Sequence, residues 1–204
     1  MWMISMAGCR VIAISGTPGS GKTSVSKALS SILGTVSIDL SELVVKEKLY
    51  VDYDEDRGSY IIDEELVRRR IRELAEICGD RGKGYLIVEG HYAEIVEDPI
   101  LEVIVVLRID PRELIKRLCI REWGFEKSLE NGEAEYVGVC LANALNEHPA
   151  EKVCEINVTD KDLGSVVRDI ARAIRDRSVC NPTIDWTEHI EPQELLETAR
   201  RYCG

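Results

Sequence analysis

Aromatic side chains are scarce in this 204-residue chain, where one Phe, three Trp and seven Tyr make up 5% of the residues. With so little Phe, the core has to be filled by Ile, Val and Leu, as in buried parallel strands. No uninterrupted apolar run of about 18 residues occurs, so no segment is expected to span a membrane. The apolar start MWMISMAGCRVIAIS meets its first charge only at Arg10 and runs straight into a glycine-rich motif. It therefore does not read as a cleaved leader. Positive charge is in deficit: 26 Lys and Arg face 37 Asp and Glu, for a formal net charge of -11. Such a surface repels phosphate backbones, which disfavours general or sequence-specific nucleic-acid binding but allows a local basic cleft. CxxC pairs are missing too, because Cys9, Cys78, Cys119, Cys140, Cys154, Cys180 and Cys203 lie scattered. An odd, dispersed set describes neither a disulfide framework nor a zinc ribbon. The expectation is a cytoplasmic protein with reduced thiols.

What is present is an alternation of short apolar runs and amphipathic stretches. Strands are expected at Arg10–Ser15, Val36–Asp39, Tyr85–Glu89, Val103–Arg108 and Val153–Val158. Helices are expected at about 21–33, 40–49, 63–78, 111–122, 126–146 and 162–176. Continuous apolar strands alternating with helices predict an α/β fold with a parallel sheet covered on both faces. Cap signals agree: Asp63 precedes Glu64 and Glu65, Asp110 precedes Pro111, and Asp160 or Asp162 can open the 162–176 helix. Residues 1–176 read as one core. Residues 177–204 form a Pro-punctuated extension whose EPQELLETARR predicts a terminal helix.

The strongest motif is Gly16-Thr17-Pro18-Gly19-Ser20-Gly21-Lys22-Thr23, which matches G-x-x-x-x-G-K-[ST] at every position. A strand precedes it and an amphipathic helix follows, as a phosphate-cradling P-loop requires. Glycines let successive backbone N–H groups turn inward, and the helix N-terminus adds positive potential. Lys22 can then reach the β- and γ-oxygens of a nucleoside triphosphate and Thr23 a Mg²⁺ ion. The motif leaves the acceptor open, although the guanine-selecting NKxD of GTPases is absent.

Glu89 ends the third predicted strand, where a carboxylate orders Mg²⁺ or its water; the plainer alternative is a turn cap. His91 follows, either structural or able to orient a water or acceptor phosphate. Arg108 closes the next strand, and Arg117 and Arg121 lie four apart on one helix face. Guanidinium groups suit the charge developing on a transferred phosphoryl group, whereas a surface Glu113–Arg117 pair is the ordinary reading. The acidic stretch 39–63 is helical first, then turn-rich. It can fold over an acceptor, with Arg57 pairing with its acids or binding phosphate.

Taken together, GTPGSGKTS (16–24), LYVDYDEDRGSYIIDEE (49–65), IVEGH (87–91), VLR (106–108) and RLCIREW…KSLENGEAE (117–135) resemble the atypical adenylate kinase family, known in eukaryotes as the nuclear isoenzyme six and common in archaea. The resemblance covers about residues 10–176, and the 49–65 block is its specific part. It implies a P-loop nucleoside-monophosphate-kinase fold with a five-stranded parallel sheet, an NMP-binding segment at about 39–62 and a short LID at about 120–130. It also implies ATP phosphates on Gly16, Gly19, Gly21, Lys22, Thr23 and Ser24, with Arg121 as the ATP-contacting LID arginine. Glu89 and His91 match the family's acid-x-His motif. The family usually has Gly after the LID arginine, where this chain has Glu122. The implied cofactors are ATP and Mg²⁺, and the implied acceptor is AMP or another nucleoside monophosphate. Members are also implicated as ATPases in small-subunit ribosome assembly, so a basic ribosomal-protein partner is the alternative, and the acidic charge suits it. A small-metabolite kinase on the same fold ranks lower, since it should lack the 49–65 block.

Overall fold

A computed structural model of the chain describes residues 8–55, 58–177, 180 and 184–204. The first seven residues, Asp56, Arg57 and Pro182, on which some expectations rest, lie outside the described residues. Five parallel strands, β1 (Arg10–Ser15), β2 (Ser37–Asp39), β5 (Tyr85–Glu89), β6 (Leu101–Arg108) and β7 (Val153–Asn157), form one sheet. Their spatial order is β2-β5-β1-β6-β7. β1 alternates strictly: Val11 and Ala13 join one apolar cluster, while Ile12 and Ile14 join the cluster on the opposite face. A strand buried on both faces needs helices on both, and α1 (Lys22–Leu33), α3 (Glu64–Asp80), α4 (Pro111–Ile120) and α7 (Leu163–Arg175) supply apolar residues to these clusters.

The helices begin where their caps dictate. Asp63 accepts the Leu66 N–H at 3.1 Å, Asp110 accepts the Arg112 N–H at 2.8 Å ahead of Pro111, and Asp162, not Asp160, accepts the Ser165 N–H at 2.9 Å.

Two stretches differ from expectation. After α2 (Leu40–Glu47) the acidic insert forms an antiparallel hairpin, β3 (Tyr50–Asp54) and β4 (Ser59–Ile62). Tyr60 packs against Tyr50 and Tyr53 with ring centroids 4.4 and 4.9 Å away, which supplies the apolar contact that the acids cannot. The expected 126–146 helix is two helices, α5 (Phe125–Tyr136) and α6 (Val139–Glu147). Gly138 breaks it with φ near +71°, and a Cβ there would sit 3.5 Å from the Arg108 guanidinium.

The extension docks on the core. Its helix α8 (Pro192–Cys203) packs on α4 and α5, and Trp186, Ile190, Leu195 and Ala199 form a cluster with Ile115 and Cys119.

The expectation of reduced thiols is overturned. Disulfides join Cys9 to Cys78, Cys119 to Cys203 and Cys154 to Cys180, leaving Cys140 buried and free. The partners lie 69, 84 and 26 residues apart, so only the fold brings their Cα atoms within 5.6, 4.8 and 5.0 Å. Among the described residues, no helix is long and apolar enough to cross a membrane.

Candidate active site

The carboxyl ends of the strands on either side of β1 converge on the loop between β1 and α1. This is where an open parallel sheet reverses its winding and leaves a crevice. The loop's tight path depends on Gly16 and Gly19, at φ near +142° and +92°. A Cβ on Gly16 would come within 2.7 Å of the Leu107 carbonyl oxygen, and one on Gly19 within 2.8 Å of Leu118 on α4. Gly21 is the left-handed N-cap of α1, so Lys22, Thr23 and Ser24 occupy the helix's positive first turn. The Lys22 ammonium donates to the carbonyls of Gly16 at 2.8 Å and Thr17 at 3.1 Å. Burial lowers its pKa, and the negative potential of its surroundings, Glu89 among them, opposes the shift.

Glu89 ends β5 with 3% of its surface exposed. Burial pushes its carboxyl up, while a hydrogen bond from the Thr23 hydroxyl pulls it back down. Asp39 ends the neighbouring strand in direct register with Glu89 and raises its pKa further by like charge. Asp39 also caps α2, accepting the N–H groups of Ser41 and Glu42 at 2.8 and 3.2 Å. His91 meets Tyr92 edge-on at 4.7 Å. His91 is exposed, yet the protein packed around its ring disfavours the imidazolium, and the Lys22 charge adds to that.

Beside His91 lies a cavity of about 390 Å³ lined by Ser41, Val44, Tyr60, Ile62 and Tyr92 among others. Its floor is α2 and its cover is the hairpin, so a mostly apolar chamber opens next to the charged cluster.

The structure separates the three arginines expected to face phosphates. Arg108 is corrected from that role: it is 1% exposed and its guanidinium is consumed by Glu135 at 2.7 Å, by Glu155 and by the Ile184 carbonyl at 3.2 Å. A continuous apolar strand carries it inward, and two buried carboxylates on α5 and β7 neutralise it there. Arg117 forms the ordinary pair with Glu113 at 3.1 Å. Arg121 is exposed at the C-cap of α4, the helix whose Leu114 and Leu118 border Gly19. The next residue, Glu122, holds the left-handed conformation at φ near +62°, one that Gly adopts without strain.

Sequence reasoning missed Asp39, Glu135 and Cys140 as parts of the site. Asp39 could have been found from its place at a strand's carboxyl end. Glu135, one acid among several on α5, carries no such mark, and neither does Cys140, whose thiol burial pushes up to about 11.

A family model described as an AAA domain matches residues 12–138. A protein of Methanocaldococcus jannaschii named "putative adenylate kinase" is 38% identical over 177 residues, covering 87% of this chain and 93% of that one. One of the same name from Saccharolobus solfataricus is 34% identical over 187 residues, 92% of each chain. Among solved structures, a shikimate kinase from Bacteroides thetaiotaomicron superposes with a TM-score of 0.55 at 21% identity, over 82% of this chain and 99% of that one. Thymidylate kinase from Candida albicans gives a TM-score of 0.55 at 16% identity, over 87% and 96% of the chains. At these identities the two structures establish the P-loop kinase-like fold.

Proposed function

Because the chain belongs to the family of archaeal proteins named putative adenylate kinase, we propose that it transfers the γ-phosphoryl group of Mg·ATP to a nucleoside monophosphate, with AMP as the acceptor. The observation that carries the reading is the placement of Lys22, Thr23, Glu89 and His91 at one crevice, with the 390 Å³ cavity alongside. A hydroxyl hydrogen-bonded to a carboxylate, with Asp39 close by, is an oxygen donor set that suits Mg²⁺. Thr23 and Glu89 would hold that ion, which neutralises charge on the ATP oxygens when bound.

The loop's backbone N–H groups and the α1 N-terminus bind the triphosphate, and Lys22 leaves its two carbonyl partners to meet the β- and γ-oxygens. Arg121, on the segment at about 120–130, meets developing charge from the opposite side. The segment 39–62 holds the acceptor, whose base fits between α2 and the hairpin against Tyr60 and Tyr92. His91 stands at the junction of the two, largely neutral at neutral pH, and positions a water or the acceptor phosphate as a hydrogen-bonding group. Positioning and charge stabilisation suffice for in-line transfer, without a general base.

The test is ADP production from Mg·ATP with and without each common nucleoside monophosphate. Strong stimulation by AMP, with little hydrolysis in its absence, is the expected result. Slow hydrolysis indifferent to every monophosphate would sink the reading. It would favour an ATPase acting with a basic ribosomal small-subunit protein, for which the net charge of -11 is suited.

A further inference from the structure

We infer that Glu135 is a positioning residue for the phosphate loop, and that the extension beyond residue 176 is part of what holds it. Both oxygens of this 1%-exposed carboxylate are used. Oε2 accepts the hydroxyl of Thr17, itself 2% exposed, at 2.8 Å. Oε1 accepts Arg108 Nε at 2.7 Å, the Ile109 N–H at 3.2 Å and the indole N–H of Trp186 at 3.3 Å. The carboxylate thus ties the second residue of the P-loop to the end of β6 and to the extension.

The extension is bound a second time through the same group. Arg108 donates to the Ile184 carbonyl at 3.2 Å and pairs with Glu155, whose other oxygen accepts the Ile184 N–H at 2.9 Å. Trp186 is anchored in the cluster with Ile190, Leu195 and Ala199, and α8 ends in the Cys119–Cys203 disulfide.

Thr17 is therefore held from two sides. Its hydroxyl is fixed by Glu135, while its carbonyl accepts the Lys22 ammonium at 3.1 Å. Fixing the Thr17 side chain fixes the peptide that steers Lys22, and a buried hydrogen bond to an ionised acceptor is a strong fixture. The role concerns the triphosphate side alone, since none of these residues lines the acceptor cavity. It rests on the reading that this loop binds Mg·ATP.

The test uses the full oxidised chain and compares Thr17→Val, Thr17→Ser and Trp186→Phe, well below the melting temperature of each. Calorimetric titration with Mg·ADP is combined with kinetics in Mg·ATP and AMP. Thr17→Val is expected to weaken Mg·ADP binding and raise the KM for ATP about tenfold, leaving the KM for AMP within twofold. Thr17→Ser, which restores the donor, should return both values to wild type. Trp186→Phe should raise the KM for ATP about threefold, and combining it with Thr17→Val should add little, because both act through one carboxylate. If Thr17→Val lowers the melting temperature but binds Mg·ADP like wild type, the residue is merely structural and the inference fails. Should Thr17→Val not fold, Trp186→Phe decides: an unchanged KM for ATP overturns the proposal. A wild-type chain that binds no Mg·ADP overturns this inference together with the proposed function.

Discussion

The disulfide between Cys119 and Cys203 closes a loop of 84 residues and pins the end of α8 to the last turn of α4. Cross-linking stabilises mainly by restricting the unfolded chain, and for that separation the loop-closure model yields about 4.5 kcal/mol at 25 °C. The same model assigns about 4.4 kcal/mol to Cys9–Cys78 across 69 residues and about 3.5 kcal/mol to Cys154–Cys180 across 26. The last loop is nested inside the first, so these values do not simply add. In a chain of this size each kcal/mol moves the melting temperature by about 2–4 °C, so Cys203→Ser is expected to lower it by about 9–18 °C. Scanning calorimetry of wild type and Cys203→Ser, each with and without reductant, measures the change. Thiol titration in denaturant gives the count directly: one reactive thiol, Cys140, before reduction and seven after it. Seven thiols before reduction, or a melting temperature that reductant leaves within 2 °C, would refute the reasoning.

Two further substitutions separate structural from functional charge. Glu89 has a raised pKa in the fold, so folding disfavours its ionised form. The resulting penalty on stability is full above the folded pKa and disappears as pH falls below the ordinary glutamate value of about 4.3. Glu89→Gln should therefore be more stable than wild type at pH 7, with the advantage shrinking as pH falls through the ordinary glutamate range, while losing most of its Mg²⁺-dependent turnover. A less stable Glu89→Gln protein at pH 7 would contradict that account. Arg108→Met leaves Glu135 and Glu155 buried without their cation, and denaturant unfolding should show a loss of about 3–5 kcal/mol. A fully stable Arg108→Met chain with impaired turnover would restore Arg108 to the phosphate side.

The P-loop and its flanks were legible because their chemistry is local. A strand of five buried residues, glycines at forced positive φ and a helix N-terminus occupy adjacent positions, so eight letters describe the cradle. The caps at Asp63 and Asp110 were readable for the same reason, as each acts within three residues, while the choice of Asp162 over Asp160 waited for the structure. Glu89 could be located because β5 ends there and its partner strands are parallel. Arg108 could not, since the letters VLR at a strand's end look the same whether the guanidinium meets a phosphate or two buried carboxylates. The break at Gly138 was equally hidden, because a lone glycine inside a helical pattern does not reveal that the chain takes a left-handed φ near +71° there.

The sequence by itself determined the parallel sheet, most of the helices around it and the phosphate-binding loop, since periodicity, capping and motif spacing act over a few residues, but not the 50–62 hairpin or the break at Gly138. Tertiary structure alone decided which cysteines join, where Arg108 points and that the extension reaches Glu135. Those outcomes depend on side chains 26 to 84 residues apart meeting in a packed interior, and no local pattern encodes such a meeting.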